Sequence, residues 1–275
     1  MYQNAVLRKE LTTRMRGWRS SLVIIAYVTV LAGIVLLQLS TSADPQNLSD
    51  SARLGQSLFA ALAGFQMALV IFVAPASTAD AISGERQRQT LDLLLVTGLS
   101  SRAIIFGKLF AGLAYDVLLI LSSIPLFSLV FLFGGVGPSQ FVDLFVTFLI
   151  TTLLIGSMSL FISTFTRRSG AAVVLSMLAT LGLTVGLVIV TLLLGAASSA
   201  AGNPNTMPFT GYFDPLVGLV AVLPFSQDIG SLDHFTAGPL HLSLWQDQML
   251  ANLLMSALFI AGSIRLLRPK GAPLR

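Results

Sequence analysis

Apolar residues in this chain come in long blocks separated by short polar strips, with no alternation of the kind a sheet needs. The blocks cover 20–39, 54–76, 109–133, 144–165, 170–194 and 249–264. A bilayer core takes about 20 apolar residues in helical form, so each block predicts a membrane helix, the last one short and ended by Arg265. The first block follows basic residues and precedes the small residues at 40–43, as a signal peptide would, but its apolar run is too long for one. Pro75 closes the second block near the interface, and Pro125 predicts a kink in the third that neighbouring helices can accommodate. GGVGPSQ at 134–140 and the basic strip Thr166-Arg167-Arg168-Ser169 read as tight turns. The fold class is therefore all-α, a single polytopic membrane domain over residues 1–275.

Three segments depart from this rhythm. Residues 1–19 interleave Arg8, Lys9, Arg14, Arg16 and Arg19 with Val6, Leu7, Leu11, Met15 and Trp18. That pattern fits a basic amphipathic helix lying in the headgroup plane, and equally fits plain retention charges ahead of the first span. Residues 195–246 are apolar for a loop, and LVGLVAVLPF at 216–225 is too short to cross. A re-entrant or interfacial hairpin of half-helices before the last span is expected there, an ordinary outer loop being the alternative.

The third segment, AISGERQRQTLDLLLVTGLS at 81–100, is a polar insertion between two spans. Ser83-Gly84 is expected to break one element, and 85–89 is a dense polar run. Thr90 stands as an N-cap, and Asp92 lies where a helix N-terminus favours negative charge. Leu91, Leu94 and Leu95 follow at helical spacing, and Gly98 supplies a stop. The result is a helix of about two turns, too short to persist alone in water. Its leucines need a surface on another protein.

Composition agrees with a membrane protein: 55% of the 275 residues are hydrophobic, 10% are charged, and the mean hydropathy is +0.85. No soluble domain of useful size remains, so any energy source lies in the membrane or on another chain. The basic residues set orientation. With the N-terminus inside, every Lys and Arg except Arg53 falls on the cytosolic side, including Arg86, Arg88, Arg102, Lys108, Arg167, Arg168, Arg265, Arg268, Lys270 and Arg275. Six helices and two cytosolic termini satisfy that placement. The cations are scattered, so the pI near 9.9 does not argue for nucleic acid. The absence of cysteine excludes disulfides, thiolate zinc sites and Cys nucleophiles.

Candidate chemistry is sparse. A phosphate-binding loop is missing: Gly107-Lys108 has Arg102 and Leu109 where glycine and a hydroxyl residue are required. No cofactor is expected in this chain. Asp116, inside the third block, is costly at that depth and marks either a proton-coupled carrier or a group satisfied by Tyr115, Gln66 or a hydroxyl on a neighbouring helix. His234 and His241, with Asp233 and Asp247 nearby, match no compact metal-ligand spacing. No set of catalytic groups shares one depth, which leaves an intramembrane enzyme without support.

The run ERQRQTLDLLLVTGLS, followed by Gly107-Lys108, resembles the cytosolic loop between the second and third helices of ABC type-2 export permeases. The typical form reads Glu-Arg-x-x-Gly-Thr-Leu-Glu-Leu-Leu-x-x-Thr-Pro-Leu-Ser. This chain keeps Glu85-Arg86, Thr90-Leu91, an acid at Asp92, Leu93-Leu94, Thr97 and Leu99-Ser100. It has Gln89 for the glycine and Gly98 for the proline, departures expected to loosen both turns. The resemblance implies a coupling helix in which Glu85, Arg86, Arg88, Thr90, Leu91, Asp92, Leu94 and Leu95 contact an ATP-hydrolysing subunit that holds the ATP and Mg. It further implies an N-terminal connecting helix, a hairpin before the last span, a second permease subunit, surrounding lipid, a bacterial inner (plasma) membrane, and export of a hydrophobic or amphipathic cargo. An ion-gradient-driven carrier using Asp116 is the alternative.

Overall fold

The computed structural model describes residues 18–41, 48–90, 100–200, 208–224 and 243–267. Every regular element among them is helical. Uncharged apolar segments satisfy their own backbone amides only as helices when lipid replaces water, which is why the blocks of the sequence become rods. They are α1 (Trp18–Thr41), α2 (Leu48–Thr78), the short α3 (Ser83–Gln87), α4 (Ser101–Ser122), α5 (Ile124–Phe133) and α6 (Pro138–Phe165). Next come α7 (Ser169–Leu181), a π turn (Gly182–Gly186) and α8 (Leu187–Ala200), which run on as one rod. A 3-10 turn (Phe209–Phe213), α9 (Pro215–Val222) and α10 (Leu244–Leu267) complete the chain. Six helical stretches among the described residues are long and apolar enough to cross a membrane.

The rods run beyond the apolar blocks. α4 starts at Ser101, well before 109, because the Ser100 hydroxyl accepts from the Ala103 amide at 3.2 Å and caps it. Hydropathy marks only the hydrocarbon-facing part of a helix, and polar headgroup residues extend it. Pro125 does more than kink the third rod. Lacking an N–H, it takes a first-turn position of α5, and the helix is interrupted at Ser123, whose hydroxyl folds back onto the Ile120 carbonyl at 2.7 Å. Of the N-terminal segment expected to lie in the headgroup plane, 1–17 is outside the described residues, and Trp18 already opens α1.

α6 is the axis of the bundle. Of its most apolar window 67% is buried inside the chain, against 17% for the first and for the fifth crossing stretch. It packs on α10, α2, α4 and α7. The core centres on Phe127, whose ring meets Phe145 at 5.5 Å and Phe59 at 5.9 Å, both edge-on. Leu62, Met67 and Phe148 fill the space around them. A second, smaller cluster of Ile82, Ile104, Ile105, Leu109, Leu113, Leu160 and Leu267 lies at the α3 end of the bundle.

The apolar segment near 216–225 is, in its described part, the single short helix α9, resting on α10, α6 and α2. Residues 225–242, where a second arm of a hairpin would fall, are outside the described residues.

Candidate functional site: a stapled loop between two crossing helices

The insertion between α2 and α4 is built on α3. Ser83-Gly84 does not end an element, as its composition suggested; both residues sit within α3, and the break falls one turn earlier, at 79–82. The reason is tertiary. The Ser163 hydroxyl of α6 accepts from the amides of Ile82 at 3.1 Å and Ser83 at 3.0 Å, two donors that the start of a helix leaves orphaned. It also lies 3.2 Å from the Ser83 hydroxyl, which bonds back to the Ala79 carbonyl. Ile82 is fully buried in the cluster beneath.

From this seat the polar run fans out to three rods. Glu85 takes the Lys108 ammonium of α4 at 2.8 Å, and Lys108 is itself buried. The Thr90 hydroxyl donates to the same carboxylate. Arg86 reaches the other way: its two terminal nitrogens donate to the carbonyls of Thr164 at 2.7 Å and Thr166 at 3.0 Å, closing the C-terminus of α6. A cation on unsatisfied helix-end carbonyls complements the helix dipole. The Gln87 side-chain Oε1 accepts from the Ser169 amide at 3.0 Å, where α7 begins. One short helix thus ties α4, the end of α6 and the start of α7 together.

The end of α3 explains a detail of the sequence. The Thr90 amide donates to the Glu85 carbonyl at 3.0 Å and the Gln89 amide to the Arg86 carbonyl at 3.1 Å. Those two bonds form a Schellman cap, which places the residue after the helix in the left-handed region. That residue is Gln89, at φ 60°, standing where the resembled loop has glycine. The turn is therefore closed, not loosened, and a glutamine bears the conformation. Gln87, Arg88 and Gln89 are exposed at the tip. Leu91, Asp92, Leu94 and Leu95 lie outside the described residues, as does Gly98. Thr90 serves the helix before it; any capping of a following helix falls in that same stretch.

Sequence reasoning missed Ser163, because a hydroxyl inside an apolar run carries no signal of what it will face, and missed the Thr164 and Thr166 carbonyls, because backbone acceptors at a helix end carry none either. Lys108 appeared as a cytosolic cation and as part of the Gly107-Lys108 pair, and neither reading pointed to Glu85 as its partner.

Asp116 is buried in α4, and the Ser77 hydroxyl of α2 donates to it at 2.9 Å. Gln66 is engaged elsewhere, accepting from the Tyr27 hydroxyl of α1. Asp116 stands one turn beyond Gly112, where a Cβ would come within 2.6 Å of the Thr78 methyl, so glycine lets α4 lie against α2 at this depth. Asp247 is buried on α10, and Asp233, His234 and His241 are outside the described residues. No group of three metal-ligating side chains forms among the described residues.

A family model described as ABC-2 family transporter protein matches residues 4–268. The chain belongs to the ABC-2 transporter family. Among curated proteins none matches it. Membership makes this a multi-pass permease subunit of an ABC transporter, a transport component and not an ATPase, and implies an ATP-binding cassette partner. Within an ABC-2 permease the stapled loop is the feature between the second and third crossings, joined to the turn between the fourth and fifth.

Proposed function

We infer that this chain is one of two permease subunits, identical or similar, of an exporter that moves a hydrophobic or amphipathic substrate through their shared interface. The ATP and Mg reside in a separate subunit. The Glu85 loop and both termini face the cytoplasm, across an inner (plasma) membrane of bacterial type. The single observation behind this reading is the staple: Ser163, Arg86, Gln87 and the Glu85–Lys108 pair hold α3 rigidly against three rods, so force applied beyond Thr90 would move crossing helices and not just a loop. Leu91, Leu94 and Leu95, with Asp92 and the exposed Arg88, are the contact proposed to receive that force. The exposed apolar sides of α1 and of the fifth crossing leave room for lipid and a second subunit.

The test is a purified complex with its ATPase subunit. Leu94→Asp and Leu95→Asp should each cut transport-coupled ATP hydrolysis sharply while assembly of the crossing helices persists; unchanged coupling would overturn the reading. A gradient-driven carrier instead requires Asp116, and predicts transport that survives loss of the ATPase but collapses in Asp116→Asn. The Ser77 bond supplies a packing role for Asp116 that needs no gradient.

A further inference from the structure

At the end of the bundle opposite α3, the described residues of the seam between α9 and α10 leave several buried acceptors without a donor. Asp214 is fully buried and caps α9: its Oδ1 accepts from the Leu216 amide at 2.9 Å, while its Oδ2 has no partner among the described residues. Gln248 of α10 is equally buried. Its Nε2 donates to the Asp214 carbonyl and, at 3.5 Å, to that of Gly211, and its Oε1 is left without a donor. The carboxamide is wedged in place, since a Cβ on Gly218 would lie 2.7 Å from that oxygen. Next along α10, both carboxylate oxygens of Asp247 are buried and unpartnered among the described residues. Buried acceptors without donors are costly, and the smallest group that relieves them is a proton, which turns a carboxylate oxygen into a donor.

We propose that Asp214 is a proton-binding site that latches α9 onto α10, protonated while the seam is closed and ionised when the seam opens to the solution on that side. Burial pushes the Asp214 carboxyl up to about 7, against the pull of the Leu216 and Val217 amides. The other charged or titratable residues at this end of the elements packed on α9 are Tyr212 on the 3-10 turn, Asp247 on α10, Asp143 on α6, and Asp50 and Arg53 on α2. Arg53 is exposed, and no cation among the described residues pairs with Asp214. The Tyr212 hydroxyl is raised first by burial and then by its proximity to Asp247.

The sign follows from linkage. Below the ordinary carboxyl range both open and closed seams hold the proton, and closure has no electrostatic penalty. Between that range and about 7 only the open seam loses it, so closure weakens as pH rises; above about 7 both are ionised and the penalty is constant. The latch tightens as pH falls through neutrality.

Trp245, whose indole N–H donates to the Thr147 hydroxyl at 2.8 Å one turn from Gln248, is one of only two tryptophans and reports the seam. The full chain carrying Trp18→Phe, His234→Gln and His241→Gln, in detergent, should show a single emission transition centred near pH 7 on titration from about pH 5 to about pH 9. Adding Asp214→Asn should abolish it. A transition that persists in Asp214→Asn, or none in the parent, overturns the proposal. A second measurement needs no Asp214 variant. Amide exchange over 209–224 in the natural chain, corrected for the intrinsic pH dependence, should be faster at about pH 8 than at about pH 6, and equal rates overturn the proposal.

Discussion

Gln89 holds a conformation that costs an L-residue with a side chain about 1 kcal/mol or more. It persists because the Schellman bonds of Gln89 and Thr90, the Thr90–Glu85 contact and the Lys108 pair all require the chain to turn there. Gln89→Gly should therefore raise stability by up to about 1 kcal/mol, and Gln89→Val should lower it by about 1–2 kcal/mol, since a β-branched residue tolerates positive φ worst. Thermal unfolding of the purified chain should rank Gly above Gln above Val; a flat series would show that the turn opens in solution. Arg86 permits a sharper test. Its fork serves two carbonyls at once, so Arg86→Ala should cost about 2 kcal/mol, and Arg86→Lys, a single rotating point charge, should recover less than half of that. Full recovery by lysine would mean that charge, not the fork, closes α6.

Among the elements, α3 is too short to fold alone, and its stability is borrowed from α6. Ser163→Ala leaves the Ile82 and Ser83 amides buried without an acceptor, and is expected to cost about 1–3 kcal/mol. The same change should speed amide exchange at Ile82 and Ser83 while leaving the centre of α6 protected; unchanged exchange at those two amides would remove Ser163 from the account. The composition of 81–100 showed a polar strip followed by a leucine-faced turn, and the resemblance of ERQRQTLDLLLVTGLS told which family uses such a strip. What neither revealed is that Ser83-Gly84 stays helical, because the acceptor that makes it so is a serine 80 positions away. Pro125 is the opposite case. Its missing N–H acts locally, so the break at Ser123 was readable in outline from one residue.

Across the whole molecule, burial is uneven in a way that hydropathy does not encode. The blocks that become α1 and α6 are similarly apolar, yet α6 is wrapped by neighbours and α1 is not. In a membrane the contrast between inside and outside comes from packing, because lipid is as apolar as a core. Phe148→Ala, at the fully buried centre of α6, should cost about 3 kcal/mol by forfeiting ring contacts. Leu193→Ala, 66% exposed on α8, should cost less than about 1 kcal/mol in the isolated subunit. Unfolding of the two variants in one detergent checks the pair. A large cost at Leu193 in the assembled transporter alone would mark that face as covered by another subunit.

Sequence by itself determined the six-rod, all-α membrane fold, because the length of an apolar run and the need to satisfy backbone amides in lipid are local properties, and the resemblance of 85–100 pointed to the family. Tertiary structure alone decided which hydroxyls and amides meet: Ser163 with Ile82 and Ser83, Arg86 with the end of α6, Ser77 with Asp116, Gln248 with Asp214. Such pairings depend on rods from distant parts of the chain reaching the same depth and facing one another, and no periodicity within a single rod carries that information.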